Sequence, residues 1–179
     1  MLFRSKSLLR HPKAVSTVAE LTSGGFREVL PDTAAIDPEQ VTRVVFCSGK
    51  IYYDLLGARE ARQANHVALV RIEQLYPFAA SDVNDALLSY PIAAEAVWAQ
   101  EEPRNMGPWR FMQEQLQPLL APTGRELRYV GRAESASPAT GSGRRHQEEQ
   151  AAITDEAMSD RPLIESRRVR LVGGTGFSR

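Results

Sequence analysis

Val41–Cys47 (VTRVVFC) is a nearly unbroken run of β-branched and aromatic residues, as a buried strand requires. Val67–Ile72 (VALVRI) repeats that pattern, and Glu95–Glu101 (EAVWAQE) and Glu126–Gly131 (ELRYVG) supply a third and a fourth strand. Between them the texture turns helical. Lys50–Asn65 carries Ile51, Leu55 and Leu56 on one side, Ser81 is placed to cap a helix through Ser89 with Asp82 in its first turn, and Gly107–Leu120 is a third helical segment. A Ser/Pro/Gly loop at Ser135–Gly143 leads into a final amphipathic helix, Arg144–Met158. Upstream, Val15, Val18, Ala19 and Leu21 form a weak helical stripe over residues 14–22 that Gly24-Gly25 stops. Phe26–Leu30 reads as a short extended segment and Pro31–Gln40 as a loop. Residues 1–13 read as a basic arm, because Pro12 discourages a helix running through His11. Strands alternating with helices over short connections predict an α/β three-layer sandwich around a mainly parallel sheet of about five strands, with right-handed crossovers placing helices on its faces.

Composition narrows the class. A chain of 179 residues suits one compact domain with a tail, and 42% hydrophobic with 25% charged residues is ordinary for a soluble globular protein. The 22 basic and 22 acidic side chains cancel, which excludes a strongly basic nucleic-acid binder as a description of the whole chain. That neutrality joins two unlike parts. Residues 159–179 carry five arginines against two acids, a net charge of +3, so residues 1–158 carry −3. Only three lysines occur, Lys6, Lys13 and Lys50, so lysine chemistry has few candidates. One cysteine, Cys47, excludes an internal disulfide and a multi-cysteine metal site. No apolar run approaches the roughly 20 residues of a membrane span, and the first residues are too polar for a secretory signal. A cytoplasmic location is the expectation.

Candidate chemistry is sparse. Cys47-Ser48-Gly49-Lys50 follows a strand and opens a helix, where open α/β sheets gather ligands and helix N-termini favour anions. It lacks the first glycine and the spacer of a P-loop, and its spacing alone favours an ordinary strand-to-helix turn with a solvated lysine. Cys47 as a nucleophile needs a base. His11, His66 and His146 are scattered and give neither that base nor a metal-ligand spacing, so Cys47 reads as a buried thiol. Glu101 and Glu102 are strand neighbours that point to opposite faces, which suits a strand terminus with an ion pair better than an acid/base dyad. Trp98 and Trp109 read as packing residues. The glycine-rich string at Val169–Phe177 has no following helix to present to a phosphate and is rejected as a nucleotide site.

Five strings in order along the chain, KSLLRHPKAVS (6–16), RVVFCSGKIYYDLL (43–56), VALVRIEQLYPF (67–78), WAQEEPRNMGPW (98–109) and YVGRAESASPATGS (129–142), resemble the thiamine-dependent decarboxylating first component of 2-oxoglutarate dehydrogenase. The matched region is that enzyme's last domain, which resembles the C-terminal domain of transketolase. The resemblance implies a division into a basic arm (1–13), an α/β domain (14–158) and a non-family, disordered tail (159–179). In the parent enzyme, a homodimer, thiamine diphosphate and magnesium serve the decarboxylation of 2-oxoglutarate, and the succinyl group passes to the lipoyl-bearing succinyltransferase component. The family's Gly-Asp-Gly cofactor motif occurs nowhere in this sequence, and Met106 and Pro108 stand where relatives more often have glutamine and alanine. The isolated chain is therefore expected to be inactive, with no catalytic residue, metal or cofactor of its own. Two readings stay open. One is a dimer-packing module that binds an anionic effector, AMP or acetyl-coenzyme A, through Lys6, Arg10, Arg43 and Lys50. The other is a non-catalytic interaction or remnant protein with no ligand. Neither involves a nucleic acid or a membrane.

Overall fold

The computed structural model describes residues 6–159 apart from Ile92 and Ala94, and the side chains of Lys6 and Ser7 fall outside the description. The expected tail and the rejected glycine-rich string lie outside the described residues, save for Ser159. Five strands form one sheet: β1 (Val29–Leu30), β2 (Arg43–Cys47), β3 (Val67–Ile72), β4 (Glu95–Pro103) and β5 (Leu127–Arg132), in the order β1-β3-β2-β4-β5. The pairings β2–β3, β2–β4 and β4–β5 are parallel, and only the two-residue β1 runs antiparallel, at the edge of β3. This is the mainly parallel α/β sandwich that the alternating pattern predicts.

Burial explains why the strand sequences lack polar alternation. All five residues of β2 are buried. Val44 and Phe46 face one core with Ala68, Val70, Ala96 and Trp98, against helices α3 (Ala80–Leu88) and α4 (Trp109–Leu120). Val45 and Cys47 face the other core with Leu69, Val97 and Ala99, against helices α2 (Ile51–Arg62) and α5 (Gly143–Ala157). A strand covered on both faces has no solvent side to mark with polar residues. The chain leaves β2 toward β3 on one side and returns to β4 on the other, so the sheet reverses its winding between β2 and β4. In such sheets the crevice outside the strands' carboxyl ends at that reversal is the ordinary ligand position.

Two boundaries differ from the sequence reading. Helix α3 begins at Ala80 and its cap position, Ala79, makes no side-chain hydrogen bond, so Ser81 lies inside the first turn. Two consecutive alanines have the propensity to extend the helix backward past the better capping residue. The 14–22 stripe shrinks to a five-residue helix, α1 (Val18–Thr22), whose reciprocal Thr17–Glu20 capping box sets its start while none of its residues is buried.

Candidate functional site: the crevice between β2 and β4

At the carboxyl end of β2 the chain turns through Ser48 and Gly49, and Gly49 takes φ +75°, a conformation that disfavours a side chain. Lys50 precedes the first turn of α2. Across the crevice β4 ends irregularly, with a register shift between Ala99 and Pro103. Gln100 holds that end in place. Its buried side chain accepts a hydrogen bond from the Trp98 indole N–H (2.9 Å) and donates toward the carbonyls of Glu102, Pro103 and Met106 (3.2, 3.3 and 2.8 Å). Gly107, at φ +64°, closes the turn where a Cβ would crowd Glu102 and the Gln100 amide at 3.0–3.1 Å. The result is a cavity of about 270 Å³ between Ser48–Ile51 and Gln100–Glu102, with Leu8 of the arm, Leu75, Trp98 and Pro108 on its walls.

Among the described residues Lys50 is the one cation in that lining, and it is paired. Its Nζ stands 2.6 Å from Asp54 Oδ2 and 2.9 Å from Glu101 Oε1. Gln150 of α5 donates to the same Asp54 oxygen at 2.8 Å. Burial by itself would lower the Lys50 pKa, but the bonds to Asp54 and Glu101 outweigh it and hold the ammonium above its ordinary range. Glu101 is thus a strand terminus with an ion pair, and Glu102, its strand neighbour, contributes its backbone carbonyl to Gln100 and to the Tyr129 hydroxyl, which donates at 2.9 Å.

Of the four cations expected around one anion, Arg43 and Lys50 stand at opposite ends of β2. Arg43 begins β2 while Lys50 follows its end, and four residue steps at roughly 3.3 Å each separate the strand's two termini. Arg43 is buried instead beneath the C-terminus of α5. There it pairs with Glu95 (2.6 Å) and donates to the carbonyls of Glu156, Ala157 and Ser159 (3.2, 2.9 and 3.0 Å). A guanidinium suits that place because five fixed donors can meet several carbonyls and a carboxylate together, at the negative end of a helix dipole. Lys6 and Arg10 belong to a 3-10 turn of the arm, and Arg10 is exposed. Among the described side chains of that turn, Leu8 lines the crevice.

Other charged groups were invisible in the linear pattern. Asp32 and Arg59 form a buried ion pair, and Asp32 also accepts the Leu69 backbone N–H at 2.7 Å. Arg71 pairs with Glu73 at 2.7 Å and lies over the Tyr52 ring at 4.4 Å. His11 packs on Tyr53 with ring centroids 4.8 Å apart. No separation rule along the chain announces the Asp32–Arg59 and His11–Tyr53 partners, which stand 27 and 42 positions apart.

The chemistry these groups can perform is limited. Burial pushes the Cys47 thiol up to about 12, so it is no nucleophile near neutral pH. Among the described residues no group of three or more His, Cys, Asp or Glu side chains gathers as metal ligands, and no helix is long and apolar enough to cross a membrane. Among the described residues the crevice offers the Lys50 ammonium, the Ser48 hydroxyl, the Gln100 amide, the Glu101 and Glu102 carboxylates and the start of a helix.

Comparison with known proteins places this architecture. The family model described as 2-oxoglutarate dehydrogenase C-terminal matches residues 15–158. The chain is 43% identical over 159 residues to the 2-oxoglutarate dehydrogenase E1 component of Cupriavidus necator, covering 89% of this chain and 17% of that relative. It is 46% identical over 154 residues to the E1 component of Haemophilus influenzae, covering 86% and 16%. Against the mitochondrial 2-oxoglutarate dehydrogenase of Caenorhabditis elegans it is 48% identical over 154 residues, covering 84% and 15%. The chain therefore spans between 15% and 17% of the length of these relatives.

Proposed function

The chain belongs to the 2-oxoglutarate dehydrogenase C-terminal family, and from that premise we propose that it is the C-terminal packing module of a 2-oxoglutarate dehydrogenase E1 component. In that role it contributes to the assembly of the enzyme and not to its chemistry. One observation carries the reading: the family match, residues 15–158, takes in all five strands and all five α-helices of the described residues, while the matched relatives are several times longer. Decarboxylation of 2-oxoglutarate and succinyl transfer then belong to other domains. The lipoyl succinyltransferase component is met only through them.

Thiamine diphosphate with magnesium does not fit this chain. A magnesium diphosphate needs a cluster of oxygen donors facing the ion. In the crevice the carboxylates of Asp54 and Glu101 are already engaged by Lys50, and the Gly-Asp-Gly triplet is absent from the sequence.

A second reading rests on the crevice itself. Its 270 Å³ cavity at the winding reversal, with the Ser48-Gly49-Lys50 turn and the start of α2, suits the phosphate of an anionic effector such as AMP or acetyl-coenzyme A. Lys50 is the anchor: an ammonium has three donors, and Asp54 and Glu101 take two. Arg43 has no part in it. Calorimetric titration separates these points. Thiamine diphosphate with magnesium is expected to give no saturable heat, and saturable heat would overturn the purely packing role. AMP or acetyl-coenzyme A is expected to bind, with Lys50→Gln weakening it at least tenfold, about 1.4 kcal/mol. No heat from either nucleotide at millimolar concentration would overturn the effector reading.

A further inference from the structure

Strand β3 is buried along its length except at Arg71, its one charged residue. The Arg71 guanidinium lies 4.4 Å from the centre of the Tyr52 ring and 5.5 Å from that of Tyr53. Glu73 holds it from the side, 2.9 Å from Nε and 2.7 Å from Nη2. Among the described residues those contacts use two of its five N–H donors. The end of the fork, which can take a carboxylate or a phosphate through two parallel bonds, keeps its donors. Arg71 lines two hollows of about 500 and 470 Å³ that share Ser16, Glu20, Arg27 and Leu30, so they form one trench. Lys13 and Arg27 stand with Arg71 in its walls, and Tyr52, Tyr53 and Phe26 supply aromatic surface. The partners of the first two, Glu60 and Glu20, are exposed to water, so these pairs cost little to open. Helix α1 borders the trench through Glu20 yet buries none of its own residues. Five residues are far below the length at which a helix persists unaided.

From these features we propose that the trench binds a small ligand in which a planar ring carries an oxyanion, a phosphate or a carboxylate. The Arg71 fork takes the oxyanion, the tyrosine corner takes the ring, and α1 closes over both. The site is independent of the effector reading, because the linings of the trench and of the β2–β4 crevice have no described residue in common. Charge selects the oxyanion. Among the described residues three cations, Lys13, Arg27 and Arg71, face two carboxylates, Glu20 and Glu73, in a region (residues 1–158) that carries −3. Flat surfaces select the ring. The Tyr52 and Tyr53 rings meet edge to face at 5.2 Å, and the guanidinium spread over Tyr52 adds a further plane on which an aromatic group can stack. Each hollow falls within the roughly 300–1,000 Å³ of small-molecule sites. A ligand there gives α1 the packing partner that its own chain does not supply.

Calorimetric titration of the full 179-residue chain with phenyl phosphate, benzoate and inorganic phosphate tests this. At least one ring-bearing probe is expected to bind saturably, about tenfold or more tighter than inorganic phosphate, and the better of the two identifies the head group. Arg71→Met keeps the apolar stem and is expected to weaken that binding by about tenfold or more. Arg27→Gln, at an exposed position where folding is not at stake, should weaken it by a smaller factor. Hydrogen exchange on the wild type needs no variant: the bound probe should slow exchange over residues 17–27. Absence of binding by both ring-bearing probes at millimolar concentration, or binding no tighter than that of inorganic phosphate, overturns the trench. Binding that persists in Arg71→Met and disappears in Lys50→Gln also overturns it, by assigning the ligand to the crevice, and leaves the effector reading standing.

Discussion

Asp32→Ala is expected to destabilise the folded chain by about 3–5 kcal/mol, the cost of breaking a buried ion pair from one side. Both side chains are almost fully withdrawn from water, at 2% exposure for Asp32 and 5% for Arg59. The second guanidinium contact, Arg59 Nη2 to Asp32 Oδ1, is 3.2 Å, so the carboxylate meets the guanidinium with both oxygens. One of them also receives the Leu69 N–H. Removing the carboxylate leaves a buried cation and an amide donor without their acceptor, and frees the loop after β1 from both β3 and α2. Chemical denaturation should register a lower midpoint with an unchanged slope. The double variant Asp32→Ala/Arg59→Met should recover most of the loss, because an apolar pair leaves no charge stranded. A single substitution within about 1 kcal/mol of wild type would contradict the buried-pair account.

Arg43→Met carries the second large effect, again about 3–5 kcal/mol, corresponding to roughly 6–20 °C in melting temperature for a chain of this size. Methionine preserves the apolar stem, so the loss isolates the polar work: the Glu95 ion pair and the three carbonyls at the end of α5. The effect should be uneven. Hydrogen exchange is expected to accelerate first in the last two turns of α5, around Ile153–Ala157, which pack on the sheet through Ile153, Ala157 and Met158. Arg43→Lys should recover only part of the stability, because a single ammonium cannot span a carboxylate and three carbonyls. Uniform acceleration across the whole sheet would argue that Arg43 does not act through α5.

These two arginines mark the boundary of what the linear pattern discloses. The strands β2 to β5 were legible because residues such as Val44–Phe46 and Ala68–Val70 must be apolar on both faces. The three long crossover helices and α5 were legible by their period and by the glycines and prolines around them. Strand β1, Val29–Leu30, lies within the Phe26–Leu30 segment read as extended, but its antiparallel pairing to Arg71 and Ile72 was not legible, because two residues carry no period. Asp32 lay in a segment with loop composition, and its partner is fixed by the docking of α2. Arg43 was legible as a cation but not as a clamp, because the carbonyls it serves arrive 113 to 116 residues later. For Lys50 half of the answer was written in the chain: Asp54 stands four residues on, the spacing of a helical ion pair, whereas Glu101 comes from the neighbouring strand.

The central claim is that this fold serves an E1 component by packing, with its chemistry elsewhere. The most direct measurement replaces the matching C-terminal region of the Cupriavidus necator E1 component with residues 1–159 of this chain and assays 2-oxoglutarate decarboxylation. The expected result is a soluble chimera retaining activity within about tenfold of the parent, since no group that touches substrate has been exchanged. A chimera that assembles and folds like its parent yet has lost decarboxylation altogether would contradict the account, by locating indispensable chemistry in this domain.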